Sequence, residues 1–135
     1  MALEKNNSQI HIVLTEDGSP TAYFNDFESE KMHHSGGAFG ESVFIYGPVI
    51  QWAFAQENLI KATIVSVGTG LAYNEILTAA FGLLFESDFI LHSFEKNTDL
   101  NNSLKNWVID GEQKTLVEKS VYDVILQKTA SLFEI

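Results

Sequence analysis

The amino-terminal part of the chain alternates apolar and polar positions and then turns back on itself. Residues 9–14 place their apolar side chains on one face, which is the period of a half-buried β-strand. Turn-forming residues fill positions 16–20, where the sequence reads EDGSP, and residues 21–24 return as a second strand. The pattern therefore predicts a β-hairpin, followed by a polar loop over residues 25–37.

A glycine and a proline interrupt the helical pattern that comes next. Residues 38–46 predict a short helix, and apolar side chains recur at helical spacing from Val49 to Phe54. Proline lacks a backbone donor and clashes inside a helix, so Gly47 and Pro48 predict a break between two helices. Pro48 suits the first position of the second helix, where its missing N–H has no partner to lose.

The middle of the chain has the order strand, turn, helix, strand. Residues 62–67 are rich in β-branched side chains, and a glycine turn follows them. A helical pattern covers residues 73–85, and residues 88–94 form a second apolar run. Strands joined in this way pair in parallel through a right-handed crossover, so the segment predicts a βαβ unit of an α/β, Rossmann-like domain.

The last third of the chain completes the predicted domain organisation. Helices are expected over residues 99–107 and 113–133, although residues 122–126 could instead form a strand. The fold class is therefore α/β. Residues 1–60 form an amino-terminal hairpin and helical element, and residues 61–135 form the first half of a Rossmann-like domain.

Composition and charge exclude several kinds of protein. The 135 residues include no cysteine, which excludes a disulfide scaffold, a thiol nucleophile and a zinc–thiolate site. No apolar run reaches the roughly 18 residues of a membrane span, and the first residues lack the layout of a secretory signal. We therefore expect a cytoplasmic protein without a membrane partner. The formal net charge of −10 repels phosphate backbones and argues against nucleic acid.

The glycine turn after the first βαβ strand is the most informative segment. Gly68 permits a tight turn, Gly70 lets a ligand approach the backbone, and the small Ala72 lets the helix pack on the strand. Glu95, at the end of the next strand, can accept hydrogen bonds from ribose hydroxyls. Such turns bind NAD, FAD and S-adenosylmethionine (SAM) alike. The spacing predicts a nucleotide-type ligand, and a purely structural turn beside a solvated glutamate is the alternative.

Four segments, in this order, match the pattern of a known family. They read LTEDGSPT (14–21), MHHSGGAFGESVFI (32–45), SVGTGLAYN (66–74) and SFEK (93–96). Together they resemble the methyltransferase domain of MnmC-type tRNA 5-aminomethyl-2-thiouridine methyltransferases and their stand-alone MnmD-type relatives. The resemblance extends over residues 12–97, which is most of the chain.

This resemblance implies a cofactor, a reaction and a set of binding residues. The enzyme would transfer a methyl group from SAM to the exocyclic amine of 5-aminomethyl-(2-thio)uridine at the tRNA wobble position. The SAM site that it implies comprises Glu41, Gly68, Gly70, Ala72, Asn74 and Glu95. Weaker contacts with substrate or cofactor are implied for His33, His34 and Ser35. Adjacent side chains on an extended segment point opposite ways, so no shared metal is expected at the two histidines.

The chain also departs from the family pattern. Ser66 replaces the acid that ends the family's first strand, and the family's catalytic aspartate falls beyond residue 135. The catalytic base is therefore unknown, and we expect this chain to be part of a longer enzyme and inactive by itself. The alternative is a non-catalytic nucleotide-binding or assembly module derived from a Rossmann half. A bare two-stranded core, with Ile64, Val65, Phe89 and Leu91 exposed, would favour a homodimer.

Overall fold

The computed structural model describes residues 9–25, 29–56 and 61–135, and these ranges form a mixed α/β structure. In chain order the elements are β1 (Ile10–Leu14), β2 (Pro20–Phe24), α1 (Ala38–Phe54), β3 (Ala62–Val67), α2 (Tyr73–Leu84), β4 (Phe89–Phe94), α3 (Thr98–Val108) and α4 (Lys119–Phe133). No helix in the described ranges has both the length and the apolar character to cross a bilayer. The boundary predicted after residue 60 adjoins residues 57–60, which lie outside the described ranges, so the division into domains stays a prediction.

The predicted hairpin is present. Strands β1 and β2 pair antiparallel, with Ile10 opposite Phe24 and Leu14 opposite Pro20. The predicted loop that follows contains residues 26–28, which lie outside the described ranges, and forms no helix or strand elsewhere. The hairpin is tied to the end of the chain as well, because Lys128 on α4 donates a 2.8 Å hydrogen bond to the carbonyl oxygen of Asp17.

The turn of this hairpin caps the amino terminus of α1. Three successive helix amides, at residues 38–40, donate to the Thr15 hydroxyl at 3.0 Å, the Ser19 hydroxyl at 2.8 Å and the Asp17 carboxylate at 3.0 Å. The first amides of a helix have no partner within the helix, so such side chains replace the missing acceptors. A turn whose capping side chains lie 20 to 23 residues before the amides they accept therefore positions the start of α1.

Helix α1 is continuous, and the predicted break at Gly47 and Pro48 is wrong. Pro48 lies inside the helix and has no N–H to donate to the carbonyl oxygen of Phe44, four residues earlier. Both residues are exposed. The unpaired carbonyl thus stands on the solvent side, where the cost of a helix proline is smallest. On the opposite side Val43, before the proline, and Ile50 and Phe54, after it, pack in one core with residues of α2, so both halves of the helix share the same packing.

The βαβ unit is confirmed. Strands β3 and β4 are parallel neighbours joined through α2, with Ser66 opposite Ser93 and Val67 opposite Phe94. Both strands therefore end at the same edge of the sheet. Within the described ranges these are the strands of a two-stranded sheet, separate from the hairpin.

The two faces of the parallel sheet differ in burial. The inner face packs towards α1 and α2, where Ile64 and Phe89 join a core with Leu77 and Phe81. The prediction that Ile64, Phe89 and Leu91 are exposed is therefore wrong, since all three are partly buried on this face. Val65 is exposed as predicted. The outer face is uncovered: Val65, Val67, Ile90 and Phe94 lie exposed on it, together with Thr63 and His92.

The carboxy-terminal helices close the second core. Residues 122–126 are helical, and buried Tyr122 and Ile125 pack with Leu71 from the glycine turn. Helix α4 begins at Lys119, later than the predicted residue 113. The backbone N–H of Val117 donates to the hydroxyl of buried Ser103 on α3 at 3.0 Å, which ties the segment before α4 to that helix.

Candidate functional site

The turn between β3 and α2 adopts a conformation that suits glycine. Gly68 and Gly70 have φ values of +80° and +53°, in the left-handed region that side chains rarely occupy. A side chain at Gly70 would also press on the Met32 sulfur, 3.2 Å from the position of a Cβ atom. Ala72 shares the left-handed conformation, with φ of 65°, and is completely buried behind the turn. Two of the predicted glycines are thus required by backbone geometry.

The carboxylate of Glu95 joins the turns that follow the two parallel strands. Its Oε1 accepts the backbone N–H of Gly70 at 3.0 Å, and its Oε2 accepts the backbone N–H of Asn97 at 2.8 Å. A carboxylate offers about four acceptor positions, so these two bonds leave capacity for further donors. The sequence predicted Glu95 at this edge of the sheet but not its bond to Gly70.

A cavity of about 730 Å³ opens beside this turn, between α1 and the free edge of β3. This volume lies within the usual range for small-molecule sites. Five of the predicted SAM-site residues line it, namely Glu41, Gly68, Gly70, Asn74 and Glu95. His33 also lines this cavity, whereas Ala72 does not. His34 faces a neighbouring depression, and Ser35 lines neither of the two spaces.

Glu41 reaches the cavity from the first turn of α1. Its carboxylate accepts the backbone N–H of His34, so it holds the preceding loop against the helix while lining the cavity. The loop is also fixed by the Thr21 hydroxyl, which lies 3.0 Å from Nδ1 of His33 and accepts its backbone N–H at 3.1 Å. Glu41 therefore has a structural role in addition to any contact with a ligand.

His33 stands at the wall of the cavity as a neutral imidazole. Burial lowers the pKa of His33, and the negative charge of Glu41 offsets this only in part. Its ring meets the ring of Tyr73 edge-on, with centroids 4.6 Å apart. Burial likewise raises the pKa of Tyr73 well above its usual value, so both rings are uncharged near neutral pH.

Charge on the cavity wall has a single sign. Among the described residues that line it, the carboxylates of Glu41 and Glu95 are the charged groups, and no lysine or arginine is present. Desolvation strengthens electrostatic interactions in a recess of this kind. The cavity therefore favours a ligand that carries positive charge and hydroxyl donors over a phosphate-bearing one.

The sequence did not indicate the apolar wall of the cavity. Tyr46, Val49 and Trp52 come from α1, and Val65 and Val67 come from β3. Trp52 is 65% exposed and Val67 is 81% exposed, although both belong to apolar runs typical of a core. The spacing of the α1 residues marks one helical face, yet periodicity alone does not distinguish a core face from an open one. Flat rings could pack against this wall.

Asn74, at the start of α2, has an unpaired hydrogen-bond acceptor. Its Oδ1 is buried and has no hydrogen-bond partner among the described residues, and the side chain lines the cavity. Buried polar atoms are nearly always paired in folded proteins, so an unpaired acceptor at a cavity wall suits a ligand or water donor. Ser66 also lines the cavity.

The chain matches no protein-family model, no curated protein and no solved structure. Among the described residues, no three histidine, aspartate or glutamate side chains are grouped closely enough to hold a metal ion. The function of the cavity is therefore argued from its own geometry and charge, together with the motifs of the sequence.

Proposed function

We propose that the cavity binds SAM and that the chain is the cofactor-binding part of a SAM-dependent methyltransferase. The observation that carries this proposal is the position of Gly68, Gly70 and Glu95. They lie at the carboxyl ends of two neighbouring parallel strands and open onto the cavity. Ligands of open α/β sheets bind at this edge. In this arrangement the glycine turn would approach the methionine part of SAM, and Glu95 would accept hydrogen bonds from its ribose.

The charge of the cavity supports SAM over a dinucleotide. A pyrophosphate is normally held by the free backbone N–H groups of a glycine turn. Here the Gly70 N–H already donates to Glu95, and a phosphate at this point would meet a carboxylate. SAM carries a sulfonium and an ammonium group, which the carboxylates of Glu41 and Glu95 would attract. The unpaired Oδ1 of Asn74 could accept a hydrogen bond from the same ligand.

The reaction that we propose is methyl transfer to an amine, in a cytoplasmic enzyme. The acceptor implied by the sequence motifs is the exocyclic amine of 5-aminomethyl-(2-thio)uridine in tRNA. The net charge of −10 opposes a broad RNA-binding surface on this chain, so tRNA contacts would be confined to the acceptor nucleotide or made by a basic partner. The residues described here would bind and orient the reactants, which is the main requirement for in-line transfer.

Calorimetric titration of the chain with SAM, S-adenosylhomocysteine and NAD tests this proposal. We expect SAM to bind at one site and NAD to bind at least about a hundredfold more weakly, a difference of about 3 kcal/mol. Added salt should weaken SAM binding, because screening reduces the attraction of the carboxylates for the cation. Equal affinity for NAD and SAM, or no heat with either adenosyl compound, would contradict the proposal.

A second candidate function, assembly with another chain, is favoured by the uncovered outer face of the parallel sheet. Val65, Val67 and Phe94 form an exposed apolar patch on it, and His92 separates Phe94 from the exposed Ile90. Contiguous apolar surface and unpaired strand edges commonly mark interaction sites. In this proposal the chain is a non-catalytic module or a homodimer subunit, and the sheet face is its contact.

Sedimentation velocity tests the second candidate. We expect the chain to self-associate as its concentration rises, and more so in high salt, which screens repulsion between acidic copies. Val67→Lys should shift the equilibrium towards monomer by at least about tenfold, because it places a charge on the buried contact. Val108→Lys is the matched control, since Val108 is also an exposed valine but lies at the end of α3. A wild-type chain that stays monomeric at all concentrations argues against assembly through this face.

A further inference from the structure

The cavity beside the glycine turn continues along the edge of β3. Residues 63–67, five successive residues of this strand, all line it. Successive side chains of a strand point to opposite faces of a sheet, so one space meets all five only if it lies along the edge of the strand. Tyr46, Val49 and Trp52 of α1 form the facing wall. This part of the cavity, bounded by residues 63–67 and by these three side chains, is the edge groove.

Among the described residues, the backbone of β3 has no partner on the side that faces the edge groove. Strand β3 pairs with β4 on its other side, and no further backbone hydrogen bond of residues 62–67 is found in the described ranges. Backbone N–H and C=O groups need partners, and a free strand edge presents a row of them. The groove therefore offers the main-chain hydrogen bonds by which an extended peptide joins a sheet as a further strand.

Apolar side chains flank the free edge on both sides. Val49 and Trp52 are exposed on the α1 side, and Val65 and Val67 are exposed on the outer face of the sheet. The side chains of an added strand alternate between the two faces, so they would lie against both pairs and shield them from water. A single extended chain in the groove therefore accounts for the unpaired backbone and for both exposed apolar surfaces.

The charge of the molecule selects the kind of chain that binds. Glu41 and Glu95 are the charged groups among the described residues that line the cavity, and the whole chain has a net charge of −10. Such a field attracts a segment that carries lysine or arginine and repels an acidic one. It also repels a second copy of this chain, so a basic partner is favoured at the edge groove.

From these features we propose that the edge groove binds an extended, basic segment of a partner polypeptide, which joins the parallel sheet as an added strand. Its backbone pairs with β3. Its apolar side chains pack against Val49 and Trp52 on one side and beside Val65 and Val67 on the other. Strand β3 has six residues, so a segment of similar length fills the groove. The inference goes beyond the proposed function and does not depend on which ligand binds at the glycine turn.

Nuclear magnetic resonance titration of the isotope-labelled chain with the end-blocked peptide KVTVTVK tests this inference. The peptide alternates apolar and polar residues and reads the same in both directions, so it suits parallel and antiparallel pairing alike. We expect it to shift the amide signals of residues 63–67 and the indole N–H signal of Trp52. The indole N–H of Trp107, which donates to Asp123 outside the groove, should not shift.

Hydrogen exchange gives the signature of strand pairing. Saturation with KVTVTVK should slow the exchange of the β3 amides that face the groove by at least about tenfold, because new hydrogen bonds protect them. Shifts without any slowing would show that the peptide lies in the groove without pairing, which overturns the added strand. Absence of binding at millimolar peptide overturns the inference as a whole.

Two control peptides separate backbone pairing from charge. KVTPTVK has a central proline, which lacks a donor and disrupts a ladder, and it should bind at least about tenfold more weakly than KVTVTVK. EVTVTVE reverses the charge and should also bind at least about tenfold more weakly at low salt, with the difference shrinking as salt is added. Equal binding of the proline peptide overturns strand pairing, and equal binding of the acidic peptide overturns the choice of a basic partner.

A matched pair of variants places the peptide in the groove. Val49 is 66% exposed and Val108 is 67% exposed, so lysine at either position leaves the core intact. Val49→Lys should weaken KVTVTVK binding by at least about tenfold through lost apolar contact and added repulsion, whereas Val108→Lys should bind as the wild type does. Unchanged binding in Val49→Lys overturns the site. Wild-type self-association that Val49→Lys abolishes in sedimentation velocity would identify the occupant as a second copy and overturn the basic partner.

Discussion

Replacement of Asp17 by alanine is expected to lower the free energy of unfolding by about 2 kcal/mol, the upper end for a lost helix cap. The carboxylate accepts the Thr15 hydroxyl at 2.9 Å, the Ser19 backbone N–H at 3.0 Å and the Gly40 N–H at 3.0 Å, and it also accepts the Ser19 hydroxyl. Alanine leaves the N–H groups of Ser19 and Gly40 without this acceptor, although the Thr15 hydroxyl can still donate to the Ser19 carbonyl oxygen at 2.9 Å, and it loosens the turn that caps α1. Urea denaturation followed by circular dichroism measures the change.

Asp88→Ala is the matched control for this variant. Asp88 is exposed, and it lies just before β4, away from the α1 cap. Its removal should change the free energy of unfolding by less than about 0.5 kcal/mol, as is usual for surface substitutions. Equal unfolding midpoints for Asp17→Ala and the wild type would show that the cap contributes nothing to stability.

The Asp17 carboxylate also makes stability depend on pH. Burial by itself would raise the pKa of Asp17, but hydrogen bonds from Ser19, Gly40 and Thr15 outweigh it and lower the pKa from 3.8 to about 2. A lowered pKa in the folded state means that the contribution is present above the unfolded pKa and is lost as pH falls. The difference in stability between wild type and Asp17→Asn should therefore narrow between pH 4 and pH 2. A constant difference across this window would contradict the assignment.

The second large effect is expected at Glu95. Glu95→Gln should weaken SAM binding by at least about tenfold, because charge-assisted hydrogen bonds contribute about 1.5–3 kcal/mol and a tenfold change corresponds to about 1.4 kcal/mol. Glutamine removes the negative charge and retains one acceptor for two backbone donors, those of Gly70 and Asn97. Calorimetric titration with SAM measures the change in affinity.

Two comparisons make the Glu95 result interpretable. Glu112→Gln removes the same charge at an exposed position outside the cavity, and its SAM affinity should equal that of the wild type. Thermal unfolding of Glu95→Gln without ligand shows whether the turn itself has been weakened. Full SAM affinity in a well-folded Glu95→Gln variant would exclude Glu95 from the binding site, and an equal loss in Glu112→Gln would point to overall charge instead.

Local sequence pattern predicted the elements of the βαβ unit almost residue by residue. Strand β3 occupies the predicted residues 62–67, and the predicted helix 73–85 is present as α2 (Tyr73–Leu84). These elements are encoded by the period of their apolar side chains and by glycines that the turn requires. The same local reasoning placed Glu95 at the sheet edge shared with Gly70, because parallel neighbouring strands end together.

Interactions between residues distant in sequence decided the continuity of α1 and the capping of its amino terminus. Packing of Val43, Ile50 and Phe54 in one core with α2 keeps α1 continuous through Pro48, at odds with the local preference of proline. The caps from Thr15, Ser19 and Asp17 likewise come from a separate element.

The sequence by itself determined the hairpin, the βαβ unit and the position of the glycine turn, since each depends on neighbours within a few residues. The resemblance implied that Glu41 shares a site with Gly70, and the cavity has both in its lining. Only the tertiary structure decided that Val67 and Trp52 form an open wall instead of a core. Burial depends on which elements pack against a side chain, and an apolar pattern does not specify that partner.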